Sequence, residues 1–148
     1  KQSFEYHNNF RAIGFKYTDD NCVPDNDSSV CDSYSWTKGF YPYITGIPCK
    51  FFDQGAVLNK SFGGDIVNGT EVFVIHIRYQ KETWDYYINK SNFNLEGFKF
   101  VSNNDSTKGE IVYNEGQANI NGLIVPTTRT WYDLNKKLLG TDILIQDE

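Results

Sequence analysis

The chain has 148 residues, 16% of them aromatic, and a formal net charge of −5 from 14 basic and 19 acidic side chains. That length suits one domain with a core of ordinary size, so residues 1–148 read as a single domain. No basic cluster is present to neutralise phosphates or to hold an anionic lipid surface, and no apolar run reaches the length of about 20 residues that spans a bilayer, so neither nucleic-acid binding nor membrane insertion is expected.

Taken in chain order, short apolar stretches alternate with Gly, Asn and Asp, the rhythm of antiparallel β structure. Lys1-Gln2-Ser3-Phe4 carries no initiator Met and no apolar leader, so the chain reads as a processed polypeptide or an excised piece of a longer one. Phe10 to Tyr17 reads as a strand around Gly14. Residues 20–33 form a loop rich in turn formers, flanked by Cys22 and Cys31. Phe40 to Ile47 is aromatic, and Pro42 and Pro48 suit an edge strand or irregular coil.

The clearest strand is Glu71 to Tyr79, β-branched or aromatic at most positions and preceded by the turn dipeptide Asn68-Gly69. Trp84 to Ile88 follows as its hairpin partner. Phe93 to Val101 comes next, with Gly97 as an expected bulge. Ile111 to Tyr113 and Ala118 to Val125 continue the series. Near the C-terminus, Thr130 can cap a helix with Asp133 three residues on; Trp131, Leu134 and Leu138 share one helical face, and Gly140 stops it. Asp142 to Gln146 then reads as a closing strand. The fold class expected is therefore all-β, an antiparallel β-sandwich with one short C-terminal helix.

Two features argue for an extracellular, secreted glycoprotein. Five Asn-x-Ser/Thr acceptors occur, at Asn26, Asn59, Asn68, Asn89 and Asn104. With 15 Asn and 19 Ser or Thr residues, random placement would give roughly two. Cys22 and Cys31 also flank a polar loop, a common disulfide position in secreted domains. Cys49 is the odd one: it could be buried, pair with a segment elsewhere, or be the true partner of either other cysteine.

Catalytic signatures are thin, and the chain reads as a non-enzyme. The two histidines, His7 and His76, lack neighbours at metal-ligand spacing, and no nucleophile elbow or phosphate-cradling glycine loop is present. A carboxylate pair for glycoside hydrolysis is a third reading, since spatial pairing is invisible in sequence. An interior holding an apolar ligand is a further one. No cofactor is expected, with calcium as the one candidate ion. Asp25, Asp27 and Asp32 offer it oxygen donors in the acidic loop, although an exposed turn would contain the same residues.

Sugar rings stack their C–H faces on Trp and Tyr, and their hydroxyls suit polar neighbours. Trp84, Asp85, Tyr86, Trp36 and Tyr43 are the candidate ligand-binding residues on that logic, though a β core needs the same aromatics. Alternation puts Trp84, Tyr86 and Ile88 on one face of their strand and Asp85 and Tyr87 on the other. One of the two must be core.

The run Glu71 to Phe100, with Asn92, Gly97 and Phe98 in an Asn-x-x-x-x-Gly-Phe passage, resembles the middle of H-type lectin domains over residues 62–125. The resemblance implies a six-stranded antiparallel sandwich, often trimeric, that binds N-acetylgalactosamine-like sugars between protomers. It departs after Gly-Phe, where the family carries a Trp-bearing strand and this chain has Val101-Ser102-Asn103-Asn104, so no sugar-binding residue is carried over. The expectation is a lectin-like domain binding glycans through exposed aromatics. The alternative is a protein-binding adhesion, recognition or host-interaction ectodomain, its partner a cell-surface protein.

Overall fold

The computed structural model describes residues 3–8, 13–18, 21–24, 44, 49–59, 61–120 and 122–144. The described chain is mostly antiparallel β-sheet. It divides into two compact units, Lys1–Ile47 and Pro48–Glu148.

In the first unit, β1 (Ser3–Asn8), β2 (Ile13–Thr18) and β3 (Asn21–Pro24) form a three-stranded antiparallel sheet in that order. The expected Phe10–Tyr17 strand corresponds to β2, while β3 occupies the start of what reads as loop.

The second unit opens with a 3-10 turn at Cys49–Phe52 and the two-residue β4 (Val57–Leu58). A long meander follows: β5 (Gly63–Val67), β6 (Thr70–Arg78), β7 (Glu82–Asn89), β8 (Leu95–Ser102) and β9 (Gly109–Glu115). A separate small hairpin of β10 (Ala118–Ile120) and β11 (Leu123–Val125) precedes β12 (Thr128–Asp133) and β13 (Leu138–Ile143). The main sheet runs β13-β12-β9-β8-β7-β6, and β4 and β5 share the far side of β6.

Local chemistry sets these connections. Val67 pairs with Thr70 across Asn68-Gly69, both at positive φ (49° and 81°), the two-residue primed turn that matches strand twist. The register slips between Tyr87 and Ile88, opposite Gly97 and Leu95, where the sequence predicts a bulge. A β-carbon added to Gly97 would overlap the Val112 carbonyl oxygen, so only glycine fits that close approach.

The expected C-terminal helix is not formed. Thr130, Trp131 and Tyr132 are β-branched or aromatic and pair with Tyr113, Val112 and Ile111 of β9. Asp133 organises a turn and not a helical first turn: its Oδ1 accepts from the backbone N–H groups of Asn135 and Lys137, each at 2.9 Å. Lys136 at φ 64° then reverses the chain into β13. The spacing of Trp131, Leu134 and Leu138 mimics a helical stripe, but tertiary pairing and the turn chemistry prevail.

The register sorts the side chains onto two faces. Ile75, Ile77, Trp84, Tyr86, Ile88, Phe98, Phe100, Val112 and Trp131 fall on one. Val72, Val74, His76, Asp85, Tyr87, Lys99, Tyr113 and Tyr132 fall on the other. The first face carries the aromatic core. Trp84 stacks on Phe100 with centroids 4.8 Å apart and on Phe98 at 5.4 Å, Phe98 meets Trp131 edge-on at 5.9 Å, and Phe51 of the 3-10 turn lies 4.6 Å from Tyr86. Such pairs add ~0.5–1.5 kcal/mol each beyond the area they bury.

Candidate functional site

The alternation along β7 decides which aromatics can meet a ligand. Trp84 is 4% exposed and Tyr86 is fully buried, so both are core residues and neither offers a stacking surface to solvent. The expectation of sugar stacking on these two side chains is corrected: their faces are occupied by Phe98, Phe100 and Phe51. Trp36 and Tyr43 lie outside the described residues, as do Asp25, Asp27, Asp32, Asn26 and Cys31.

Asp85 points to the opposite face and stays partly open. His76 on β6 stands directly across from it, and His76 Nδ1 donates to Asp85 Oδ1 at 2.6 Å. Lys99 of β8 pairs with Asp85 on its other side, and Thr83 lies two residues along the strand. Three tyrosines share this face. Tyr87 and Tyr113 flank the bare backbone of Gly97, and Tyr132 comes within 5.8 Å of Tyr113, ring to ring. All three are half-buried; Tyr87 and Tyr113 pack against the small cluster of Val67, Val72 and Val74. Burial and the neighbouring Asp85 carboxylate push the Tyr87 phenol well above its ordinary range, so it stays neutral, an O–H donor at every physiological pH.

Of these, Tyr113, Tyr132 and Lys99 are the residues that sequence reasoning left out. The signal was present: with Trp84 and Tyr86 inside, their neighbours at 85 and 87 had to face outward. Among the described residues, no three His, Cys, Asp or Glu side chains converge as a metal site requires. One pair of carboxylates on the core face bears on the hydrolase reading. Burial and nearby Glu82 raise the Glu110 carboxyl above its usual range. One oxygen of Glu82 is already engaged, accepting from Trp84 Nε1 at 3.0 Å.

The glycan acceptors separate by geometry. Asn59, Asn68 and Asn104 are exposed on turns or strand ends. Asn89 is 8% exposed and hydrogen-bonded through both its amide oxygen and nitrogen. Its Oδ1 accepts from Ser91 N–H at 2.8 Å and Ser91 Oγ at 2.7 Å, and its Nδ2 donates to Glu96 Oε1 at 2.7 Å. The buried amide clips the β7–β8 turn. Cys22 is disulfide-bonded. No helix among the described residues is long and apolar enough to cross a membrane.

No family model, curated protein or solved structure matches the chain.

Proposed function

We propose that the protein is an extracellular glycan-binding domain whose binding surface is the Asp85 face of the main sheet. The observation that carries this reading is the set of half-exposed side chains on one face: Tyr87, Tyr113 and Tyr132 beside the His76–Asp85 hydrogen bond and Lys99. Aromatic rings at a polar surface supply the flat contact a pyranose needs, and the carboxylate, imidazole, ammonium and phenol groups read hydroxyl positions. The disulfide at Cys22 and the three exposed acceptors support an oxidising, extracellular setting. Val72 and Val74, buried on the Asp85 face, support the sandwich arrangement that the H-type lectin resemblance implies over that part of the sheet, and the candidate surface is the half-exposed remainder of the face. No step of this reading requires catalysis.

A second reading, protein recognition, is favoured by the β10–β11 hairpin, where Ile120, Leu123 and Ile124 are exposed. The deciding experiment is a glycan array on the glycosylated protein, with N-acetylgalactosamine-type sugars included, run with calcium and again with a chelator. Saturable binding to one sugar family, abolished by Asp85→Ala or Tyr113→Ala in a protein that still melts cooperatively, is the expected result. Blank arrays under both conditions would overturn the glycan reading. Binding lost only on chelation would move the site to the acidic loop of Asp25, Asp27 and Asp32.

A further inference from the structure

We infer that two copies of this chain pair through β13, edge to edge and antiparallel, with Thr141 opposite Thr141 across a two-fold axis. The two edges of the main sheet differ. On the β6 side the edge is broken between the two-residue β4 and the Gly-rich β5, and the exposed acceptors Asn59 and Asn68 flank it. Short strands and bulky flanks of this kind blunt an edge. On the other side, β13 runs for six residues without Lys, Pro or a glycan acceptor; it has one bulge, at its Leu138–Gly140 end, and beyond that Ile143 and the adjoining Leu144 are exposed.

The backbone phase is fixed. Leu144 N–H donates to the Thr127 carbonyl at 2.8 Å, so by alternation Asp142 and Gly140 bond inward to β12, while Thr141 and Ile143 turn their N–H and C=O groups outward. Among the described residues no strand pairs with this outer row, and another extended strand is what completes one. With Thr141 on the axis, Ile143 falls opposite Leu139 and Asp142 opposite Gly140, while the bulge at Leu139 takes Leu138 out of the pairing. The neighbouring register centred on Asp142 would instead set two carboxylates against each other, which is unfavourable. A two-fold axis normal to the sheet turns the same face of both copies one way, because Thr141 shares its face with Tyr132 and Asp85. If the proposed function holds, the dimer presents two sugar surfaces toward one target and binds multivalent glycans with avidity; the pairing itself does not depend on that reading.

The test is sedimentation of the full glycosylated chain, with cysteine cross-linking. The wild type should sediment at twice the monomer mass. Ile143→Glu, at a position 70% exposed, should weaken association roughly tenfold or more while leaving the near-UV circular dichroism unchanged. Hydrogen-bonded antiparallel partners lie about 5.5 Å apart, within disulfide reach, so Thr141→Cys should oxidise to a covalent dimer and Ile143→Cys should not. A monomeric wild type at the highest soluble concentration overturns the pairing and leaves β13 to a strand from another protein. Cross-linking by Asp142→Cys in place of Thr141→Cys overturns the register.

Discussion

Replacing Asn89 tests whether this acceptor serves the fold and not a glycan. The side chain holds two short hydrogen bonds from Ser91, a long one of 3.4 Å from Asn92 N–H, and the 2.7 Å bond to Glu96. A neutral hydrogen bond contributes about 1 kcal/mol net and one to a charged group ~1.5–3. Ser91 is exposed, so water replaces most of what its groups lose. Glu96 is half-buried and does not recover so readily. The sum is about 2–3 kcal/mol for Asn89→Ala, which lowers the melting temperature by roughly 5–10 °C in a chain of this size. Ser91→Ala destroys the same acceptor triplet at a cost of only about 0.5–1.5 kcal/mol. Asn89→Asp sets a second carboxylate against Glu96 and should destabilise as well. Calorimetry of the three variants, with glycopeptide mapping of the wild type, checks the reasoning. Sugar on Asn89 in natively melting protein, or an Asn89→Ala variant that melts with the wild type, would refute it.

Three further outcomes follow from the packing. Phe98→Ala empties a fully buried site between Trp84 and Trp131 and should cost ~3–5 kcal/mol in urea unfolding. Gly97→Ala drives a β-carbon into the Val112 carbonyl, a rigid neighbour, and should cost ~1–3 kcal/mol or more by the same assay. Glu110 has a folded-state pKa raised by burial, so the stability it contributes is complete at acid pH and is lost as pH rises through the folded value. Glu110→Gln should therefore melt with the wild type at about pH 4 and above it at pH ~7–8; a gap that widens toward acid pH would reverse the assignment.

The strands that sequence made legible are those in which composition and turn chemistry agree. Residues 70–78 combine a β-branched run with an Asn-Gly turn, and the structure places β6 there. Ala118 to Val125 reads as one strand but is a hairpin, reversed at Gly122 with φ 90° and held by Asn119 Oδ1 accepting from the Gly122 N–H. An Asn-Gly pair marks that turn as well, so the signal was there and was outweighed by the apolar run. The C-terminal hairpin was illegible for a different reason. A stripe at 131, 134 and 138 fits a helix as well as it fits a strand, a turn and an exposed edge, and only the partner strand β9 decides between them. Burial was hidden too: the Asn89 triplet is indistinguishable in sequence from the exposed triplets at Asn59, Asn68 and Asn104.

The division of β7 by parity governs how any mutational scan of this surface must be interpreted. Even positions 84, 86 and 88 point into the aromatic core, and odd positions 83, 85 and 87 point to the opposite face, where they are partly exposed, because the strand places successive side chains on opposite sides. Truncating Trp84 or Tyr86 would abolish ligand binding by unfolding the sheet, whether or not this face binds anything. A loss of binding at Asp85 with melting unchanged carries different information, since its side chain is partly exposed and its principal partner, His76, is itself 41% exposed at the side chain. Tyr87 stands between the two cases: half-buried against the valine cluster, it should register in both assays. A binding surface on this sheet therefore predicts an alternating pattern along residues 83–88, with stability effects on the even positions and binding effects on the odd. A core aromatic cluster without a ligand predicts the first half of that pattern alone.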